Sequence, residues 1–154
     1  MSTRNVLVTL VLAGALVGCS AKKKPAQPQA SPGAPAATAA AAGDAEASAA
    51  QAGARIYSGN CVPCHQQTGL GIAGVYPSLA GSPIVLGDPA QLALWVIKGQ
   101  RPASMPAGRY PTQMLQFGWM KPADAAALFS YLRSNFGNSA SPVDAAAVAK
   151  ALGQ

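Results

Sequence analysis

Cys61-Val62-Pro63-Cys64-His65 sets two thiols three positions apart, with an imidazole directly after the second. Each thiol of such a pair can add to a vinyl group of haem while the imidazole reaches the iron, and this spacing is the attachment signature of c-type haem. Two intervening residues let the sulfurs span two vinyl groups on one edge of the porphyrin. His65 is the only histidine of the chain, so no second imidazole competes to be the ligand. Three other chemistries use the same residue types. A thiol-disulfide redox pair wants a thioredoxin-like βαβ setting, and no strand-rich flank is visible. A zinc site needs four ligands, for which only the distant Cys19 and a few carboxylates remain. A structural disulfide leaves His65 without a role.

The elements that must position this motif read as helices. Ala49 to Tyr57 runs toward it, with Gly53 and Tyr57 four residues apart on one face, a pairing that predicts close approach to another helix. The expected partner spans Pro122 to Phe136: Pro122 opens it, Asp124 complements its dipole, and Gly137 is placed to cap it. Ala125, Leu128, Phe129, Tyr131 and Leu132 form its apolar stripe. A third helix is expected over Asp88 to Lys98, with Asp88 as N-cap, Pro89 at the first position and Gly99 after the last. The tail beyond Asn138 reads as helical through Asp144 to Leu152. No stretch alternates with period two for long enough to propose a sheet, so the fold class is all-α.

The 154 residues divide unevenly. Residues 1–18 read as a targeting segment, with Arg4 ahead of an uncharged apolar run from Val6 to Val17 that is too short for a comfortable membrane span. Leu16-Val17-Gly18-Cys19 resembles the lipobox of bacterial lipoproteins, which implies a diacylglycerol on the sulfur of Cys19 and a chain held on a membrane by its acyl groups. Ordinary signal cleavage after Ala21 is the alternative. Ser20, following the cysteine, implies by the same resemblance sorting to the outer membrane. The expected location is therefore the periplasmic side of the bacterial cell envelope. Three cysteines then serve one lipid and two thioethers, leaving no thiol over. Residues 19–45, with Lys22, Lys23 and Lys24 followed by Pro, Ala, Gln, Ser and Gly, read as a disordered tether. Roughly 25 such residues would average about 30 Å end to end. The haem domain is expected over 46–138 and a tail over 139–154.

The formal charge of +6 overstates the domain's own field. From Ala45 on, seven cations (Arg55, Lys98, Arg101, Arg109, Lys121, Arg133, Lys150) face four carboxylates, and two haem propionates would offset most of the excess. Nucleic-acid binding is not indicated.

Gly53, Tyr57, the Cys61 to His65 motif, Gly69, Gly71, Pro77 to Leu79 and the helix carrying Leu128, Tyr131 and Leu132 together resemble a class I cytochrome c over about Ala49 to Asn138. Tyr76 to Pro83, Met114 to Trp119 and Tyr131 to Asn138 are similar to the haem domains of cytochrome subunits of bacterial alcohol and gluconate dehydrogenases. The resemblance implies three to five helices wrapped around one covalently attached haem c, and an electron carrier that performs no bond-making catalysis. Its donor would be a dehydrogenase or respiratory complex, its acceptor an oxidase or another cytochrome, with the membrane reached through the lipid anchor. It further implies that the Pro77 carbonyl accepts the Nδ1 proton of His65, fixing its tautomer, and that Leu79 packs on the haem face. His65 is then one iron ligand and a methionine sulfur the other. Met114, followed by Phe117 and Trp119 at the spacing of the dehydrogenase-associated domains, is the favoured ligand. Met105, before Pro106, is the alternative, and Met120 lies too close to the final helix. Phe117 and Trp119 are expected as walls of the pocket, with Trp95 and Tyr110 nearby. A five-coordinate haem enzyme or gas sensor is the competing reading if no methionine binds, and a disulfide-exchanging assembly lipoprotein if no haem does.

Overall fold

The computed structural model describes residues 35–154, with side chains from Gly43 onward. The proposed signal segment, the lipid site at Cys19 and the lysine cluster therefore lie outside the described residues. Among the described residues six helices follow one another: α1 (Pro35–Asn60), α2 (Val62–His65), α3 (Pro83–Leu86), α4 (Pro89–Lys98), α5 (Pro122–Ser134) and α6 (Ala145–Leu152). Two of them, α2 and α3, are four-residue single turns; α1 to α5 belong to the haem domain, five helices within the expected three to five, and α6 lies in the tail that was read as helical. Outside the helices, the described residues show one isolated antiparallel bridge, Ile72 with Tyr76.

Local chemistry explains where the helices begin and end. At α4 the Asp88 carboxylate accepts the Ala90 N–H at 2.9 Å, Pro89 occupies the first turn, and Gly99 closes the helix in the left-handed region. At α6 the Asp144 side chain accepts from both Ala146 and Ala147. Two boundaries differ from the sequence expectation. Helix α1 starts at Pro35 rather than Ala49, so residues 35–45, expected as tether, are helical: the alanine run before Gly43 carries the highest intrinsic helix propensity, although Gly43 to Gln51 bury nothing. Helix α5 ends at Ser134, and its C-cap is Asn135, not Gly137. There the Asn135 amide donates back to the Tyr131 carbonyl at 2.9 Å, and Phe136 and Gly137 both turn left-handed to redirect the chain.

The central packing is α1 across α5. A Cβ on Gly53 would collide with the Ala127 carbonyl and the Tyr131 side chain, so the glycine permits the close crossing that its spacing with Tyr57 predicted. Tyr57, Tyr131 and Phe136 close one end of this contact, with ring centroids 5.0 to 5.7 Å apart. Helix α6 packs on α4 and α5, burying Val148 and Leu152. The tail is thus part of the core and not an appendage. Arg133 is buried and donates to three main-chain carbonyls: Val85 at 2.7 Å, Gly87 at 2.9 Å and Ser141 at 2.7 Å. Its charge is spent holding the end of α3 and the start of the tail against α5.

Candidate haem site

Cys61 follows the last residue of α1 and precedes α2, whose single turn brings Cys64 and His65 round beneath the helix end. His65 N–H donates to the Cys61 carbonyl at 2.8 Å, which winds the motif tightly. The chain then turns at Gln66, a non-glycine residue at φ 62, whose carbonyl accepts the Tyr57 hydroxyl proton. Gly71 N–H returns to the His65 carbonyl at 3.0 Å, and the Ile72 to Tyr76 bridge leads the chain back to Pro77. A Cβ on Gly71 would strike the Tyr76 and Pro77 carbonyls, so the residue keeps this return tight at φ 66.

The result is one hydrogen bond behind the imidazole: His65 Nδ1 donates to the Pro77 carbonyl at 3.0 Å. With Nδ1 occupied, Nε2 is the nitrogen left for a metal. Burial pushes the His65 pKa down, against the opposing pull of the Pro77 bond, so the ring is held neutral, as a ligand must be. Cys61 is pushed up to about 11, first by burial and then by Cys64 beside it. A thiol so protonated is a poor exchange nucleophile. Among the described residues no three His, Cys, Asp or Glu side chains gather as a metal cluster.

One cavity of about 790 Å³ opens above this motif. Its size falls in the range of about 300 to 1,000 Å³ usual for cofactor sites. Cys61, Cys64, His65, Pro77, Leu79, Met105, Met114 and Phe117 all line it, together with Trp95, Tyr110 and Met120. The helices supply apolar walls through Leu92 and Val96 of α4 and Leu128 and Leu132 of α5. Two thiols, a neutral imidazole and methionine thioethers among apolar side chains, all bordering one cavity, form the donor set that c-type haem requires.

Trp119 departs from the expectation. It is 65 % exposed and does not line the cavity. Phe117 N–H donates to the Val96 carbonyl and Met120 N–H to the Phe117 carbonyl, so a turn directs positions 117 and 120 inward and 119 outward. Trp119 instead meets Phe117 edge-on from outside, at 6.3 Å between centroids. Met120 is buried in the core at the foot of α5. Arg101 and Arg109 sit at the lip, and Arg101 lies over the Trp95 ring at 5.1 Å. Sequence reading had counted both only as charges.

The cytochrome c family model matches residues 50–136, the span from α1 through the end of α5. The chain belongs to the cytochrome c family. Over 93 residues it is 32 % identical to the cytochrome c subunit of a quinone alcohol dehydrogenase from Gluconobacter oxydans, covering 58 % of this chain and 19 % of that subunit. It is also 32 % identical over 92 residues to cytochrome c-552 of Thermus thermophilus, covering 56 % of this chain and 70 % of the relative. The chain thus spans about a fifth of the dehydrogenase subunit and most of cytochrome c-552. Class I cytochromes of this family carry covalently attached haem c and transfer electrons, and the helical fold described above is theirs. Cofactor and fold class are therefore as the sequence implied.

Proposed function

We propose that the chain is a periplasmic one-electron carrier whose haem c is held by thioethers to Cys61 and Cys64 and ligated by His65 and Met114. The observation that supports this best is the convergence of the motif, the Pro77 carbonyl and the methionines on one apolar cavity. Haem c supplies a ferric/ferrous couple that stores one electron. Everything else is the work of the chain. Cys61 and Cys64 fix the group by covalent bonds, Pro77 holds the imidazole in one tautomer, and Leu79, Phe117 and Leu128 keep water from the faces. His65 and Met114, if both were kept as ligands in either oxidation state, would keep reorganisation small. A thioether ligand favours the ferrous state and raises the potential.

Cys19 would carry a lipid that keeps the domain at the periplasmic face of the envelope, the outer membrane being favoured by Ser20. A dehydrogenase or respiratory complex would reduce it, and an oxidase or another cytochrome would accept its electron. The likeness to a dehydrogenase subunit supports a donor of that class.

Met114, Met105 and Met120 all line the cavity, so substitution distinguishes them. Met114→Ala is expected to convert the six-coordinate low-spin haem to a species that binds carbon monoxide when reduced, with Met105→Ala leaving the spectrum unchanged. Optical spectra of the two variants, with and without carbon monoxide, check this. The reverse pattern would move the ligand to Met105. Carbon monoxide binding by the unmutated reduced protein would favour the five-coordinate sensor or enzyme.

A further inference from the structure

Asn138 follows the turn beyond α5, is 7 % exposed, and uses both amide donors and its oxygen at once. Its Nδ2 donates to the Leu79 carbonyl at 3.1 Å and the Leu132 carbonyl at 2.8 Å, while Oδ1 accepts the Gly81 N–H at 2.8 Å. These partners fix the orientation of the amide, because the reversed group would set its oxygen against two carbonyls. One side chain thus fastens the 79–81 segment to the last turn of α5.

The other end of Leu79 is held as well: its N–H donates to the Gly69 carbonyl at 2.7 Å. Two residues before it stands Pro77, whose carbonyl accepts His65 Nδ1. The chain reaches Asn138 through Phe136, a non-glycine residue at φ 60, and Gly137 at φ 79. Such a left-handed phenylalanine persists only where its surroundings over-determine it. The Phe136 ring packs against Gly69 and lies 5.0 Å from Tyr57, so one turn presses on Gly69 and delivers Asn138 to Leu79.

We propose that Asn138 is a positioning residue for the proximal side: by fixing the 77–81 segment it sets the Nδ1 hydrogen bond of His65 and, through it, the reduction potential. Asn138 does not line the cavity and acts only through that segment. A well-placed acceptor at Nδ1 makes the imidazole a stronger donor to the metal, and stronger donation favours the oxidised state. Loosening the Pro77 carbonyl therefore raises the potential. The inference rests on His65 being an iron ligand as proposed above. The low-spin spectrum of the unmutated protein checks that ligation separately, so failure of either reading is recognisable.

The test compares holoproteins of Asn138→Ala and Val148→Ala with the unmutated chain. Val148 is fully buried on α6 and serves as a control for lost packing. Both variants should melt at lower temperature. Only Asn138→Ala should shift the potential upward in a redox titration and speed solvent exchange of the His65 Nδ1 proton, read by NMR well below the melting temperature. Asn138→Leu keeps the volume and removes the donors without adding a charge; it carries the same test with the same two outcomes if the alanine variant does not fold. An unchanged potential and exchange rate in a folded Asn138 variant, or an equal shift in Val148→Ala, would overturn the proposal.

Discussion

Replacing Cys61 and Cys64 together by alanine is expected to remove the native fold along with the pigment. Without the covalent group the helices would have to stand around a cavity of about 790 Å³. Emptied of its group, that cavity would leave its apolar walls in contact with water at about 25 cal/mol per Å², in a domain whose total stability is ordinarily ~5–15 kcal/mol. The small core offers little to offset it, since Leu92, Val96, Leu128 and Leu132 spend part of their apolar surface on the cavity wall. The haem-free double variant should keep helical far-ultraviolet dichroism, lose its near-ultraviolet signal and bind anilinonaphthalene sulfonate. A cooperative melt monitored in the near ultraviolet would show instead that the protein core is self-sufficient.

Gly53→Ala has the second largest expected effect, and here two forces oppose each other. Alanine is favoured over glycine inside a helix by about 1 kcal/mol. Against that, the new methyl would run into the Ala127 carbonyl and the Tyr131 side chain, and the first of these is backbone that cannot turn aside. Overpacking costs about 1–3 kcal/mol where side chains can adjust, and more where a helix must move. The clash should win, with a net loss of about 2–3 kcal/mol and a fall in melting temperature of roughly 10–20 °C. Thermal unfolding of the holoprotein followed by circular dichroism measures this. A melting temperature equal to or above that of the parent would mean that α1 and α5 cross less tightly than described.

What was legible in the sequence was local. The Cys61 to His65 motif, the Asp88 cap, Pro89 and Gly99 act within a few residues of themselves, and each stands where its chemistry indicated. Gly53 with Tyr57 was legible because helical spacing puts both on one face. Trp119 was not, because a loop has no period to say which residues face inward; hydrogen bonds from Phe117 and Met120 decide it. The start of α1 was missed since an alanine-rich run satisfies both a low-complexity linker and a strong helix former. Arg133 and Asn138 were invisible as anchors, because Val85 and Leu79 lie 48 and 59 positions away in the chain. Long-range bonds from side chain to backbone leave no spacing to read.

The measurement that tests the central claim most directly is the optical spectrum of the purified full chain, oxidised and then reduced. The account predicts a low-spin haem with a sharp reduced α band, a weak near-infrared charge-transfer band from methionine bound to ferric iron, and pigment that stays with the protein through acid-acetone extraction. A high-spin spectrum without that band, or pigment lost to the solvent, would contradict it.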